Sequence, residues 1–385
     1  MPFEKLTCDR VSLSEPYKIQ CLVPDLPEPR DVMPYLEEMH AARWYSNFGP
    51  LNSRFETAMK SFINEGASGP DVDVVTFTSA TTALEAALRT IGLREGARVL
   101  IPTLTFPATA TAVINAGFTP VLSDVDADSW ELLPHHARMM MESQTIDAVM
   151  PVSTYGKPIP TADWDRFMQE TGVPVIADTA AALGQQPAGE HIHLAFSLHA
   201  TKPFSIGEGG LLVTPDGDLA KRARSWSNFG FSGPGGVISQ IGTNAKLGEY
   251  YAATGLAQIE RWSQIKARRQ AVLDAYREAL APLDNRIKWQ SSEEPFIPAT
   301  FVIHASGQAQ HIASAMMGAG IHTRFWYLPP LYEHPALEGI AAGIDVKTAF
   351  PVTEELKHSL IGLPFHSFLS RRDVENITTT LAKIL

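Results

Sequence analysis

Cysteine is nearly absent. The chain of 385 residues holds two, Cys8 and Cys21, both near its start. Two thiols in so long a chain make no disulfide framework and match no metal-ligand spacing. They point to a reducing compartment. Basic charge is scarce too: 31 Lys and Arg stand against 42 Asp and Glu, a net charge of −11. With no basic stripe, nucleic acid is excluded as the main partner. No uninterrupted apolar run is long enough to cross a bilayer, and the opening MPFEKLTCDR lacks the apolar stretch of a secretory signal. The expectation is a cytoplasmic protein with no membrane contact. Repeats and low-complexity tracts are missing as well. What is there is ordinary: 45% hydrophobic residues, in a length sufficient for two domains and a large core.

The first 30 or so residues, with LVPDLPEPR, read as an N-terminal arm. Helical patterns then alternate with short β-branched runs. DVVTF (73–77), ARVLIP (97–102), TPVLSDV (119–125), DAVMPVS (147–153), VPVIADT (173–179), LAFSLH (194–199) and GGLLVT (209–214) read as strands. TTALEAALRTIG (81–92) and PATATAVINAG read as helices between them. Apolar strands separated by helices predict an α/β fold, a mostly parallel central sheet covered by helices. A long helical pattern at 248–280 leads to a smaller C-terminal α+β domain holding ATFVIHA and DVENITTTLAKIL. The predicted division is an arm over 1–45, a large domain over 46–265, and a linking helix with the small domain over 266–385.

Chemistry in such sheets gathers where strands end. This places Ser79, Asp124, Ser153, Asp178 and Lys202 on one rim. Lys202 stands in FSLHATKPFSIGEGG (196–210), among small hydroxyl residues and glycines. Alone it reads as a solvated loop lysine. Ser197 and Thr201 beside it suit an anion, and a lysine held there can lose its proton and bond a carbonyl carbon. Asp178 ends an apolar strand, where a carboxylate is costly without a partner. It reads equally as a helix N-cap or as a carboxylate facing a heterocyclic N–H. Ser79, Ala80 and Thr81 open a helix, which favours phosphate, although simple capping explains Ser79 or Thr81 as well. Phe106 follows a strand end, where a ring could stack on a flat cofactor. A lysine, a buried acid, a phosphate-binding helix start and an aromatic plate together describe a site for pyridoxal 5′-phosphate.

In NFGPLNSRFE, TSATTALEAAL, VLIPTLTFPATATAVINAGFTPVLSDVD, PVSTYG, VIADTAAALG, FSLHATKPFSIGEGG, GTNAKLGEYYAATGLAQIE and GIHTRFWYLPPL, the chain resembles the DegT/DnrJ/EryC1/StrS family. The likeness runs from about residue 40 to the C-terminus. These are sugar aminotransferases with the aspartate aminotransferase-like fold. The resemblance implies that Lys202 bonds the cofactor aldehyde and then carries a proton. It implies that Asp178 pairs with the pyridine nitrogen and that Phe106 stacks on the ring. Ala80 and Thr81 backbone, Ser79 and the Ser197 hydroxyl would hold the phosphate, with Ala181 at the cofactor's edge. Asn244 would reach a neighbouring subunit's phosphate, implying a homodimer with shared active sites. Asn47, Tyr155, Trp326 and Tyr327 are the substrate candidates.

The chain departs from the family at several places. Ala80 replaces a glycine, Ala181 a frequent glutamine and Leu183 a frequent histidine; Ser153 and Trp326 also stand where histidine is usual. The implied reaction moves an amino group from a donor such as glutamate to a ketone on a nucleotide-linked deoxysugar. Alternatives are a non-sugar cyclic ketone or cyclitol as acceptor, and a cofactor-binding regulator without turnover. A keto-sugar dehydratase is a further rival, but that branch typically carries histidine where this chain has Lys202.

Overall fold

A computed structural model describes residues 17–63, 69–233 and 235–385. Cys8 and the first part of the predicted arm lie outside the described residues. The main sheet is built from β1 (Asp73–Phe77), β2 (Arg98–Pro102), β3 (Thr119–Ser123), β4 (Ala148–Val149), β5 (Ile176–Asp178), β6 (His193–Ser197) and β7 (Gly210–Thr214). The orders β1-β7-β6-β5 and β3-β2-β4 are joined by parallel bridges Val149–Val175 and Val152–Asp178. One sheet results, running β1-β7-β6-β5-β4-β2-β3. It is parallel except at β7, which is antiparallel to both neighbours. The reason is the connection. Residues 198–209 turn back directly from β6 to β7, with no helix to carry the chain across the sheet. Hydrogen bonds Ala200 N to Gly207 O (2.8 Å) and Leu198 N to Gly209 O (2.9 Å) hold the turn. Lys202 therefore stands on a short loop at the sheet's carboxyl rim.

Helices α1 (Pro29–Ala42), α2 (Pro50–Ile63), α3 (Ala80–Thr90), α4 (Ala108–Asn115), α5 (Pro134–Ser143), α6 (Thr161–Thr171), α7 (Gly217–Ser227) and α8 (Glu249–Leu280) surround this sheet. Side chains alternate along each strand. Val74, Leu100, Phe196, Leu211 and Val213 pack with α1, α2, α6 and α8. Val75, Val99, Ile101, Ala195 and Leu212 pack with α3, α4 and α7 on the other face. Each fully buried Val, Leu or Phe contributes about 1.5–3 kcal/mol. Strand β4 is shorter than predicted because Pro151 has no N–H for the ladder. Within the predicted arm, α1 lays Val32 and Met39 into the core, so that stretch is largely helical.

Helix α8 is unbroken across the predicted boundary at 265–266. Its Ala252, Ala253 and Leu256 join the sheet core, while Val272, Leu273, Tyr276 and Leu280 join a second core. That second core also holds β8 (Lys288–Trp289), β9 (Phe301–His304), α9 (Ala309–Gly318) and α12 (Arg371–Ile384), with β10 (Leu360–Leu363) antiparallel to β9. Between β9 and β10 also lie the short α10 (Val346–Ala349) and α11 (Pro351–Leu356). Glu249, at the start of α8, is buried and accepts the N–H groups of Leu51 and Asn52, each at 2.8 Å. It thereby satisfies free donors at the start of α2. Gly49 makes room, since a Cβ there would lie 2.7 Å from the Glu249 carboxyl carbon.

His193 begins β6, is 3% exposed, and pairs through Nδ1 with the Thr214 hydroxyl at 2.8 Å. Burial pushes its pKa down to about 4, with Arg222 adding to this and Asp216 opposing it. The unfolded chain takes the proton more readily. The stabilisation is therefore complete above about pH 6.5 and is lost as pH falls towards 4, by roughly 3 kcal/mol. Urea titrations of His193→Asn are expected to show a flatter decline of stability over that window than the parent protein.

Candidate active site

Alternating strands bring four chain segments to one place. Register pairs Phe77 with Gly210, and Gly210 with Ser197, so the ends of β1, β7 and β6 form one row. Ser79 caps α3: its hydroxyl accepts the Thr82 N–H at 3.1 Å, while the Thr82 hydroxyl accepts the Ser79 N–H at 3.2 Å. Among the described residues, the N–H groups of Ala80 and Thr81 have no acceptor. Both residues line a cavity of about 390 Å³. The helix start thus presents free donors and its positive dipole end to that space. Gly210 allows the arrangement, because a Cβ there would fall 2.2 Å from the Ser79 carbonyl carbon. Ala80 begins the helix itself, where an ordinary residue suffices; the close approach is provided by Gly210 instead. Ser197, also lining the cavity, accepts the His199 N–H at 3.2 Å and keeps its own proton to donate.

Asp178 lies across the same cavity, 5% exposed. Thr109, on α4, donates to Oδ2 at 2.7 Å, and the Ala180 N–H donates to Oδ1 at 3.2 Å. Thr105 in turn pairs with Thr109 at 2.8 Å. Burial raises the carboxyl pKa; Thr109, the Ala180 N–H and the Lys202 charge oppose the rise. Lys202 also lines the cavity, half-buried. Burial lowers its pKa, against the pull of Asp178. The site therefore holds an amine biased towards its neutral form and a carboxylate short of positive charge.

Phe106 lines the cavity, 55% exposed, and meets Tyr327 edge-on at 6.1 Å. Ser153, Ala181, Trp326 and Tyr327 line it as well. Tyr155 does not. It is buried behind Tyr327, stacked on that ring at 5.3 Å, and its hydroxyl donates to the Trp326 carbonyl. Leu183 lies in the sheet core. Asp124 follows β3 at the same rim, but its carboxylate is taken up by the start of α11, accepting from Val352 N at 2.8 Å and Thr353 N at 3.0 Å. Asn47 and Asn244 are exposed and outside this cavity; Asn244 accepts from Lys246 Nζ at 2.7 Å. The sequence reading passed over Thr109, His199 and Arg324. Thr109 had one signal, standing a single helical turn after the hydroxyl of Thr105.

This donor set fits pyridoxal phosphate. Free N–H groups and a hydroxyl suit a phosphate, the buried carboxylate suits a cationic ring nitrogen, and a lysine whose pKa burial lowers suits an aldehyde. Fold and site together define the class of aminotransferases that use this cofactor. Residues 28–382 match the DegT/DnrJ/EryC1/StrS aminotransferase family, and the chain belongs to it. A Mycobacterium tuberculosis protein, Rv3402c, is 30% identical over 376 residues, covering 94% of this chain and 89% of its own. A solved Bacillus cereus protein superposes with a TM-score of 0.86 at 26% identity, over 94% of this chain and 99% of its own. DesI, solved in the presence of its TDP-sugar product, superposes with a TM-score of 0.82 at 28% identity, over 94% and 92%. The enzyme is a pyridoxal phosphate-dependent aminotransferase.

Lys202→Ala is expected to lower amino transfer by at least about 10²–10⁴-fold and to remove the visible absorbance of lysine-bound cofactor; wild-type turnover in this variant would reassign the lysine. Asp178→Asn is expected to act in two directions. A carboxyl whose pKa is raised by folding contributes less stability as pH rises past its unfolded value. Melting curves of the cofactor-free variant should therefore exceed the parent at pH 8 and match it at acid pH, while turnover falls by about 10²-fold or more.

Proposed function

We propose that this enzyme transfers the amino group of an amino acid, glutamate first among donors, to the keto carbon of a nucleotide-linked deoxysugar. The observation that carries the reading is the single cavity shared by Lys202, Asp178 and the free N–H groups of α3. Membership of the family and the likeness to DesI support a sugar acceptor. When bound, the cofactor supplies an electron-poor ring that stabilises negative charge on the donor's α-carbon. The protein's own groups do the rest. Asp178 keeps positive charge on the ring nitrogen, held in place by Thr109 and the Ala180 N–H. Ala80 and Thr81 N–H groups with the Ser197 hydroxyl anchor the phosphate. Phe106 would stack on the cofactor ring, and Ala181 would leave room at its edge. Lys202 Nζ would take the α-carbon proton of the donor and, in the acceptor half of the reaction, deliver a proton to the carbon that receives the amino group. Trp326 and Tyr327 close the side where the acceptor enters.

A homodimer with shared sites belongs to this reading. Phe229, Phe231, Val237, Ile238 and Ile241 are exposed apolar side chains close in sequence to Asn244, and Ile241 is 88% exposed. A second copy of the chain is the occupant that would cover them and bring its Asn244 to the neighbouring phosphate site. No helix among the described residues is long and apolar enough to cross a membrane.

Glutamate added to cofactor-loaded protein is expected to release one equivalent of 2-oxoglutarate without an acceptor, and subsequent keto-sugar nucleotide to be aminated, with ping-pong kinetics. No release with any amino acid would overturn the reading in favour of a cofactor-binding regulator. Ile241→Asp is expected to shift the protein towards monomer in light scattering and to lower activity with it.

A further inference from the structure

Arg324 is an exposed side chain that lines the same cavity. Its backbone is pinned to β10: Arg324 N donates to Gly362 O at 3.1 Å, and Gly362 N donates to Arg324 O at 2.7 Å. Gly362 has a second effect. A Cβ there would lie 2.6 Å from the Trp326 indole, so the missing side chain lets the indole lie against the strand. The Arg324 guanidinium then stands 5.4 Å from the Trp326 ring. Such a cation–π contact orients the planar fork without using its N–H donors. Among the described residues, no carboxylate pairs with it. The cavity's own carboxylates are engaged elsewhere, Asp178 by Thr109 and the Ala180 N–H, and Glu208 by His199 at 3.5 Å. The α3 N-terminus lies in the cavity with its own free donors, so the cofactor phosphate does not require this arginine.

We propose that Arg324 binds an anionic oxygen group of the substrate, presented to it by Trp326, and so sets which substrates enter. The inference rests on the amino-transfer reading. Two substrates carry that chemistry: the donor through its carboxylate, and the acceptor through its diphosphate. Both offer the paired oxygens that a guanidinium takes by two parallel hydrogen bonds.

Calorimetric titration of the cofactor-loaded full chain with glutarate, and separately with thymidine diphosphate, tests this. At least one is expected to bind the parent protein and to bind Arg324→Gln about 10- to 100-fold more weakly. Arg324→Lys should recover part of the loss, as a retained charge without the fork. Weakening confined to glutarate assigns the donor carboxylate; weakening confined to thymidine diphosphate assigns the acceptor. Equal binding by parent and Arg324→Gln, or no binding of either anion by the parent, overturns the proposal. If glutamate releases no 2-oxoglutarate while the arginine still governs anion binding, the amino-transfer reading falls and the arginine's role stands.

Discussion

A carboxylate kept from water is the constraint on which this molecule turns. Asp178 ends a strand buried on both faces, and Thr109 and the Ala180 N–H satisfy its oxygens without neutralising its charge. Such a group raises its pKa or finds a cation. Lys202 is near enough to feel the charge, yet it too is pushed towards neutrality by burial. Neither group fully satisfies the other, and both line one cavity. An amine fully paired with a carboxylate could not attack a carbonyl, so this incomplete pairing suits the role proposed for Lys202.

The sheet makes this possible through its one reversal. If β7 ran parallel to β6, a helix would have to carry the chain to the opposite rim, and the 198–209 segment would not exist as a short loop. Because β7 turns straight back, Lys202 hangs at the carboxyl rim beside the end of β6, and the same strand begins with Gly210 against Ser79. One topological choice thereby places the lysine and opens the start of α3 to the same cavity. The second core contributes the remaining wall. Helix α8 runs through both cores, and the segment paired with β10 delivers Arg324, Trp326 and Tyr327 opposite the rim.

The family's departures acquire physical meaning at these contacts. Ala80 opens a helix, a position that accepts a side chain. Leu183 belongs to packing. Ala181 and Trp326 face the cavity, the first removing bulk and the second adding an aromatic surface that steadies Arg324. Changes of size and charge around a cavity are how one scaffold takes different substrates.

Local pattern alone was enough to reveal the alternating strands and helices, the helix start at Ser79–Thr81, and the special company of Lys202 and Asp178. These follow from neighbours in the chain: apolar period, capping chemistry, and a charge closing an apolar run. It could not reveal that Asp124 is drawn to α11, that Tyr155 stands behind Tyr327, or that Thr109 holds Asp178, because each depends on a partner tens to hundreds of residues away. Arg324 shows the division most clearly. Its charge was visible in the letters, but its lack of an anionic partner among the described residues and its seat over Trp326 exist only once Gly362 and β10 are folded beside it.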